Sequence, residues 1–141
     1  AKNQPDLLIG KIPIAPFVCY EIAYAGLVLD YFPKAGLIVT VSDDSWFGRS
    51  IAASQHLEIA RMRSLEVGRY QLLSTNTGIT AVVGADGRIV SKLPEFEKLV
   101  LTQEVQVLSG ATPWVKFGQY VWLLLLIVGL LWAAQWRGFK S

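Results

Sequence analysis

The chain has 141 residues, of which 52% are apolar and 17% charged, and its formal net charge is +2. This length corresponds to one domain or a part of a larger one, and the composition excludes intrinsic disorder and disfavours a basic nucleic-acid-binding domain. With one cysteine and one histidine, the chain can form neither an internal disulfide nor a Cys/His zinc site. We therefore expect no metal, no cofactor and no nucleic-acid partner.

The first third of the chain predicts a β-α-β unit. Ile12–Val18 is an extended apolar run, residues 21–31 have apolar side chains at near-helical spacing, and residues 37–41 form a β-branched run typical of a strand buried on both faces. Cys19 follows the first strand directly, so it falls at a turn from strand to helix.

A second helix is predicted from an N-cap at Ser50 to about residue 70. Its expected apolar stripe contains Ile51, Gln55, Ile59, Met62 and either Leu65 or Glu66, and its arginines Arg61, Arg63 and Arg69 are expected on a solvated or interfacial face.

Four further strands are predicted at residues 72–76, 79–83, 88–93 and 99–108. The dipeptide Asp86-Gly87 is a hairpin signal between the second and third of these. The body would then be a mixed α/β domain with too few helices to cover every sheet face.

The C-terminal end predicts a membrane helix. Residues 117–136 are 20 residues without a charge, which is about 30 Å of helix at ~1.5 Å per residue, and tryptophans lie towards both ends. A buried core helix is the alternative. Residues 109–113 read as the linker, and Arg137 and Lys140 favour a cytoplasmic C-terminus.

Several residues carry possible chemistry, each with a structural alternative. Cys19 is either a thiolate nucleophile at a helix start or a small buried hydrophobe. Glu21 either acts at the same site or stabilises the first helical turn. Asp43 and Asp44 could hold Mg²⁺ but are more typical of helix capping, and His56 is expected to be structural.

Several runs together closely resemble the bacterial apolipoprotein N-acyltransferases, which belong to the nitrilase superfamily. They are residues 15–22 (APFVCYEI), 41–48 (VSDDSWFG), 55–56 (QH), 60–66 (ARMRSLE) and 74–81 (STNTGITA). The resemblance continues through Thr112-Pro113 and the last apolar helix, and it identifies the chain as the C-terminal portion of such a protein.

The resemblance implies that residues 1–112 are part of a nitrilase-like αββα sandwich and that residues 113–141 are a transmembrane helix with a short basic tail. The family is located in the bacterial inner membrane, with the catalytic part in the periplasm. Its cysteine takes a fatty acyl chain from a phospholipid, typically phosphatidylethanolamine, as a thioester. The acyl chain then passes to the amine of the S-diacylglyceryl cysteine of an apolipoprotein, in a ping-pong reaction.

Residue by residue, the resemblance makes Cys19 the nucleophile, the backbone N–H of Tyr20 an oxyanion donor and Glu21 an essential second acid. Trp46 and Phe47 would line the acyl entrance.

The family's triad also contains a general-base Glu and an oxyanion-stabilising Lys upstream of the cysteine, and no residue among 1–18 matches either motif. We therefore expect this chain alone to be inactive. The competing interpretations are a membrane-anchored nitrilase-superfamily amidase and a non-enzymatic membrane-tethered module.

Overall fold

The computed structural model describes residues 7–138. The predicted opening loop at 1–6 and the end of the basic tail at 139–141 lie outside the described residues, as do the side chains of residues 47 and 136–138. The strands are β1 (Leu7–Ile9), β2 (Ile12–Val18), β3 (Leu37–Ser42), β4 (Gln71–Thr75), β5 (Ala81–Val83) and β6 (Ile89–Lys92). The helices are α1 (Ala25–Leu29), α2 (Ala52–Val67), α3 (Pro113–Phe117) and α4 (Tyr120–Gly138), with 3₁₀ turns at Cys19–Ala23 and Ser45–Phe47.

The six strands form one mixed sheet in the order β1-β2-β3-β4-β5-β6. Strands β2, β3 and β4 are parallel to one another, and the outer pairs are antiparallel. Parallel neighbours need crossover connections, and α1 and α2 lie in these two connections. The predicted α/β class and the β-α-β unit are confirmed, whereas the second sheet of an αββα sandwich is not formed by residues 7–138.

One face of the sheet carries the core. The side chains of Phe17, Ile38 and Leu73 are buried on this face beneath the helices, where each large apolar side chain contributes about 1.5–3 kcal/mol by leaving water. On the other face Val18 and Val41, which are paired across β2 and β3, remain exposed. This face is therefore uncovered at the carboxyl ends of β2 and β3, whereas Ile14 and Leu37, which are paired at the other end of the same face, are buried.

The helix predicted at 21–31 is two short elements. The chain makes a 3₁₀ turn at Cys19–Ala23, becomes extended at Tyr24 and resumes as the five-residue α1. The N–H of Tyr24 donates to the carbonyl of Glu21, which closes the first turn in 3₁₀ geometry. Apolar spacing predicted that this segment is helical but not that it is broken at Tyr24.

The predicted apolar stripe of α2 is wrong. Ile51, Met62 and Leu65 are exposed, and the buried side chains are mostly small or polar: Ala53, His56, Leu57, Ala60, Ser64 and Val67. Small side chains let the helix approach the sheet closely. The polar ones are hydrogen-bonded: the Ser64 hydroxyl donates to Gln71 Oε1 at 3.2 Å, and Gln71 Nε2 donates to Thr40 Oγ1 at 3.0 Å.

The helix also ends earlier than predicted. Gly68 takes the left-handed conformation, with φ of 65°, and its N–H donates to the carbonyl of Ser64. This terminates α2 at Val67 instead of residue 70.

Arg69 is buried, with only 2% of its surface exposed, so its predicted solvated position is wrong. Its guanidinium donates to five backbone carbonyls, those of Pro33, Ala35, Val67, Gly68 and Gly110. Burial lowers the pKa of this group. Arg61 instead pairs with Glu58 on the exposed side of α2, and Arg63 pairs with Glu66 in a part-buried position, where 14% and 18% of the two side chains are exposed.

The predicted hairpin around Asp86-Gly87 is confirmed. Gly87 has φ of 74°, and the Asp86 carboxylate accepts from the N–H of Arg88. The strand predicted at 99–108 is wrong, because this segment pairs with no strand and Val100 is 90% exposed. Alternation of apolar and polar residues is therefore not sufficient for a strand: β1 and β6 are the edge strands of the described sheet, yet this segment pairs with neither.

The linker at 109–113 lies against the body. The Thr112 hydroxyl donates to the carbonyl of Glu66 at 2.5 Å and accepts from the N–H of Val115, which caps α3. The uncharged run is not one helix, because Gly118, with φ of 57°, separates α3 from α4. Within residues 7–138, no helix combines the length and apolar character needed to cross a membrane.

Candidate active site

Cys19 occupies a strained turn at the carboxyl end of β2. Its φ is 53°, a left-handed conformation that costs a non-glycine residue about 1–2 kcal/mol. The residue is partly exposed and does not belong to the buried core. A sharp turn from strand to helix presents a side chain outward, and strain of this kind is concentrated at functional sites.

Glu21 holds the residue before the cysteine. Its Oε2 accepts from the backbone N–H of Val18 at 2.7 Å, so the carboxylate turns back onto the end of β2. This contact supports the end of β2 and the first turn, and the role of Glu21 as a second acid stays a prediction. Tyr20 is more than half exposed, and its ring stacks on the imidazole of His56.

His56 lies directly behind the turn, in the middle of the buried face of α2. Its Nε2 is 3.2 Å from the backbone oxygen of Cys19, and its Nδ1 is 3.5 Å from Oδ1 of Asp44. Both side chains are buried, with 5% of His56 and 3% of Asp44 exposed. The predicted structural role left open whether His56 is buried or at the surface, and the structure buries it in contact with the turn of Cys19.

The carboxylates of Asp43 and Asp44 have different partners. The Asp44 carboxylate accepts from the Ser42 hydroxyl at 2.6 Å and faces Gly78, where a Cβ would come within 2.1 Å of it. Asp43 is exposed, and its carboxylate accepts from the N–H of Ser45 and from the Asn76 amide. Among the described side chains, no group of three or more His, Cys, Asp or Glu could hold a metal ion.

Hydrogen bonding lowers the pKa of Asp43. The largest cause is the Ser45 hydroxyl, followed by the Ser45 N–H and the Asn76 amide. Asn76 also accepts from the N–H of Asp44 at 3.1 Å, so it joins the loop after β4 to the loop after β3. The loops at the carboxyl ends of the parallel strands are thus linked to one another beside Cys19.

Trp46 projects from the loop after β3 with 86% of its surface exposed. It lies at the same edge of the sheet as Cys19, because β2 and β3 are parallel neighbours. The side chain of Phe47 lies outside the described residues. The acyl-entrance role of both residues stays a prediction.

Residues 4–113 match the carbon-nitrogen hydrolase family. The chain belongs to this family. The role of Cys19 as a nucleophile stays a prediction.

Curated relatives of the chain are named apolipoprotein N-acyltransferase. The protein of Coxiella burnetii is 44% identical over 92% of the chain, that of Nitrosomonas europaea 44% over 92%, and that of Pseudomonas aeruginosa 40% over 98%. The matches cover 27%, 25% and 27% of those relatives. The chain therefore spans about a quarter of the length of the curated relatives it matches.

Among solved structures, the chain is similar to an amidase from Nesterenkonia. The TM-score is 0.50 at 19% identity, over 63% of this chain and 36% of that one. At this identity the likeness shows the fold alone, and it supports the nitrilase-like α/β arrangement.

Sequence reasoning missed His56 and Asp44 as neighbours of the nucleophile turn. The available signal was a polar residue among the small residues of one α2 face, together with an acidic residue directly after a buried strand. Neither pattern specifies which backbone atom the imidazole reaches, because that contact joins residues 37 positions apart.

Proposed function

We propose that this chain carries the nucleophile of an apolipoprotein N-acyltransferase. The observation on which the proposal rests is the partly exposed, left-handed Cys19 in a chain whose curated relatives bear that name. A thiolate is a good nucleophile, and its thioester is reactive towards amines, so a cysteine suits acyl transfer in two steps.

In the first step the Cys19 thiolate attacks an ester carbonyl of a phospholipid such as phosphatidylethanolamine. A C–S bond forms, the C–O bond breaks, and the lysophospholipid leaves as the alcohol after taking up a proton. In the second step the amine of an S-diacylglyceryl cysteine attacks the thioester. A C–N bond forms, the C–S bond breaks, the amine loses a proton, and the thiolate is regenerated.

The residues around Cys19 are proposed to stabilise the oxyanion, hold the backbone and bind the acyl chain. The backbone N–H of Tyr20 is proposed to stabilise the oxyanion of each tetrahedral intermediate. Glu21 keeps the end of β2 in place through the N–H of Val18. Trp46 and Phe47 are proposed to line the entrance for the acyl chain.

A base and a cation must complete the site. The resemblance implies a Glu and a Lys from segments that this chain does not match, so the proposed activity belongs to a protein of the relatives' full length. The chain alone is proposed to be inactive.

Residues 113–141 are proposed to anchor the domain in the inner membrane, with residues 1–112 periplasmic and the basic tail cytoplasmic. Support comes from the 20 uncharged residues at 117–136 and from the exposed leucines along α4. Carbonate extraction of membranes tests the anchor: the protein should stay in the pellet, and a variant that ends at residue 112 should be extracted.

The experiment that tests the reaction is mass spectrometry of Cys19 after incubation with phosphatidylethanolamine, in a protein of the relatives' full length that carries these residues. We expect a hydroxylamine-labile acyl group on Cys19, which an apolipoprotein then removes, and none in the Cys19→Ala variant. Hydrolysis of small amides without a lipid-derived thioester would favour the amidase interpretation. Unchanged biological activity in Cys19→Ala would favour the non-enzymatic module.

A further inference from the structure

The side chains of Glu21 and His56 hold the backbone on either side of Cys19. Glu21 accepts from the N–H of Val18, and His56 Nε2 lies 3.2 Å from the carbonyl oxygen of Cys19. A left-handed non-glycine residue persists only where its surroundings enforce the conformation. The contact with His56 comes from a different element, α2, so it fixes the turn relative to the rest of the fold.

We propose that His56 is a positioning residue that aims the oxyanion-binding N–H of Tyr20, and that Asp44 holds the imidazole in place. This inference rests on the proposed function, in which Cys19 accepts an acyl group. It concerns a contact with the peptide backbone and assigns His56 no proton transfer to or from the thiol.

The geometry of the peptide unit links the two atoms. The bond between Cys19 and Tyr20 is trans, so the Cys19 carbonyl and the Tyr20 N–H point in opposite directions in one plane. A hydrogen bond from His56 to the carbonyl therefore fixes the direction of the N–H on the other side. The same bond polarises the peptide unit, which makes the N–H a stronger donor.

Asp44 determines how the imidazole is oriented. A backbone carbonyl only accepts hydrogen bonds, so Nε2 is the donor to the Cys19 oxygen, and Nδ1 lies 3.5 Å from the Asp44 carboxylate. The Asp44 carboxylate is itself fixed by the Ser42 hydroxyl and confined by Gly78. Because the Asp44 carboxylate holds the ring at Nδ1, Nε2 points in a fixed direction, towards the Cys19 carbonyl.

The glutamine and asparagine variants of His56 separate this role from packing. The Nε2 of glutamine occupies about the position of the imidazole Nε2, so His56→Gln keeps a donor for the Cys19 carbonyl. The shorter asparagine reaches only the position of Nδ1, so His56→Asn loses that donor while remaining a polar amide. Ser54→Ala, on the exposed side of α2, is the neutral control, and Leu57→Ala, in the core, is the control for lost packing.

Two reagents distinguish the orientation of the Tyr20 N–H from the solvent exposure of the Cys19 thiol. Both are applied to a protein of the relatives' full length. With p-nitrophenyl butyrate the thiolate attacks a carbonyl, an oxyanion forms, and p-nitrophenolate leaves as the thioester forms. With iodoacetamide the thiolate displaces iodide from carbon and no oxyanion forms. Each rate is measured by mass spectrometry on the peptide that contains Cys19.

We expect His56→Asn to lower the maximal acylation rate about 10- to 100-fold with little change in half-saturating ester concentration. Loss of a whole oxyanion donor costs about 10²- to 10³-fold, and a misdirected donor costs less. Alkylation should change less than about twofold, and His56→Gln should retain acylation within about threefold. Leu57→Ala should lower the melting temperature and leave acylation per folded molecule unchanged.

Equal acylation by the glutamine and asparagine variants would overturn the proposal, as would a parallel fall in acylation and alkylation. A wild-type Cys19 that is alkylated but never acylated by the ester would overturn it as well. If the ester acylates Cys19 and phosphatidylethanolamine does not, the proposed function fails while the role of His56 is still decided by the variants.

Discussion

Replacement of Arg69 by methionine should destabilise the domain by about 3 kcal/mol. The shortest bonds of the guanidinium, to the carbonyls of Gly110 and Ala35 at 2.6 and 2.9 Å, join the linker and the segment before β3 to the end of α2. Methionine fills a similar volume but donates no hydrogen bond, so these carbonyls lose their buried partner.

The magnitude follows from the two buried bonds of the guanidinium, to the carbonyls of Ala35 and Val67. An unsatisfied buried acceptor costs about 1–3 kcal/mol, so two give roughly 2–6 kcal/mol. Removing the buried charge also removes its desolvation cost, which offsets a part of this loss. Arg69→Lys should cost about 2 kcal/mol, because a single ammonium cannot reproduce the planar fork.

Urea unfolding of the detergent-solubilised chain, followed by circular dichroism, measures these changes. Arg88→Met is the matched control, since Arg88 is 86% exposed with one contact of 3.5 Å to Asp86, and it should change stability by less than about 0.5 kcal/mol. Native-state proteolysis should cut residues 109–112 faster in Arg69→Met. A loss below about 1 kcal/mol in Arg69→Met would refute the reasoning that the guanidinium joins these segments.

Two further predictions concern the site. Cys19→Gly should be more stable to thermal unfolding than Cys19→Ala by about 1 kcal/mol, because only glycine adopts a φ of 53° without strain; equal stability would contradict strain at this turn. The folded-state pKa of Asp43 lies below its ordinary value of 3.8, so its contribution is present above pH 3.8 and is lost as the pH falls through the folded-state pKa. The stability difference between the wild type and Asp43→Asn, measured by urea unfolding from pH 6 to pH 2, should therefore shrink on acidification, whereas a difference independent of pH would refute this.

Local patterns predicted most of the sheet. Each β-branched run between 12 and 92 forms a strand within one or two residues of its predicted bounds, because alternating or continuous apolar runs have few other ways to be buried. The pattern at 99–108 is as regular, yet it forms no strand and pairs with neither edge strand, β1 nor β6, because pairing depends on where the tertiary fold places a segment and not on its pattern alone.

Helix positions were predicted less well than strands. The rotation of α2 is set by the small residues Ala53 and Ala60, which allow close approach, and by the hydrogen bonds of Ser64, while Met62 and Leu65 stay exposed. A stripe chosen by hydrophobicity favours the largest side chains and therefore selects the wrong face.

The amino-acid sequence by itself determined the α/β class, the positions of the central strands, the turn at Cys19 and the family resemblance, because all of these depend on local patterns or on motifs read in order. Only the tertiary structure decided that Arg69 is buried among backbone carbonyls and that His56 reaches the carbonyl of Cys19 with Asp44 behind it. These contacts join residues more than ten positions apart, and their geometry depends on how α2 packs on the sheet, which no local pattern encodes.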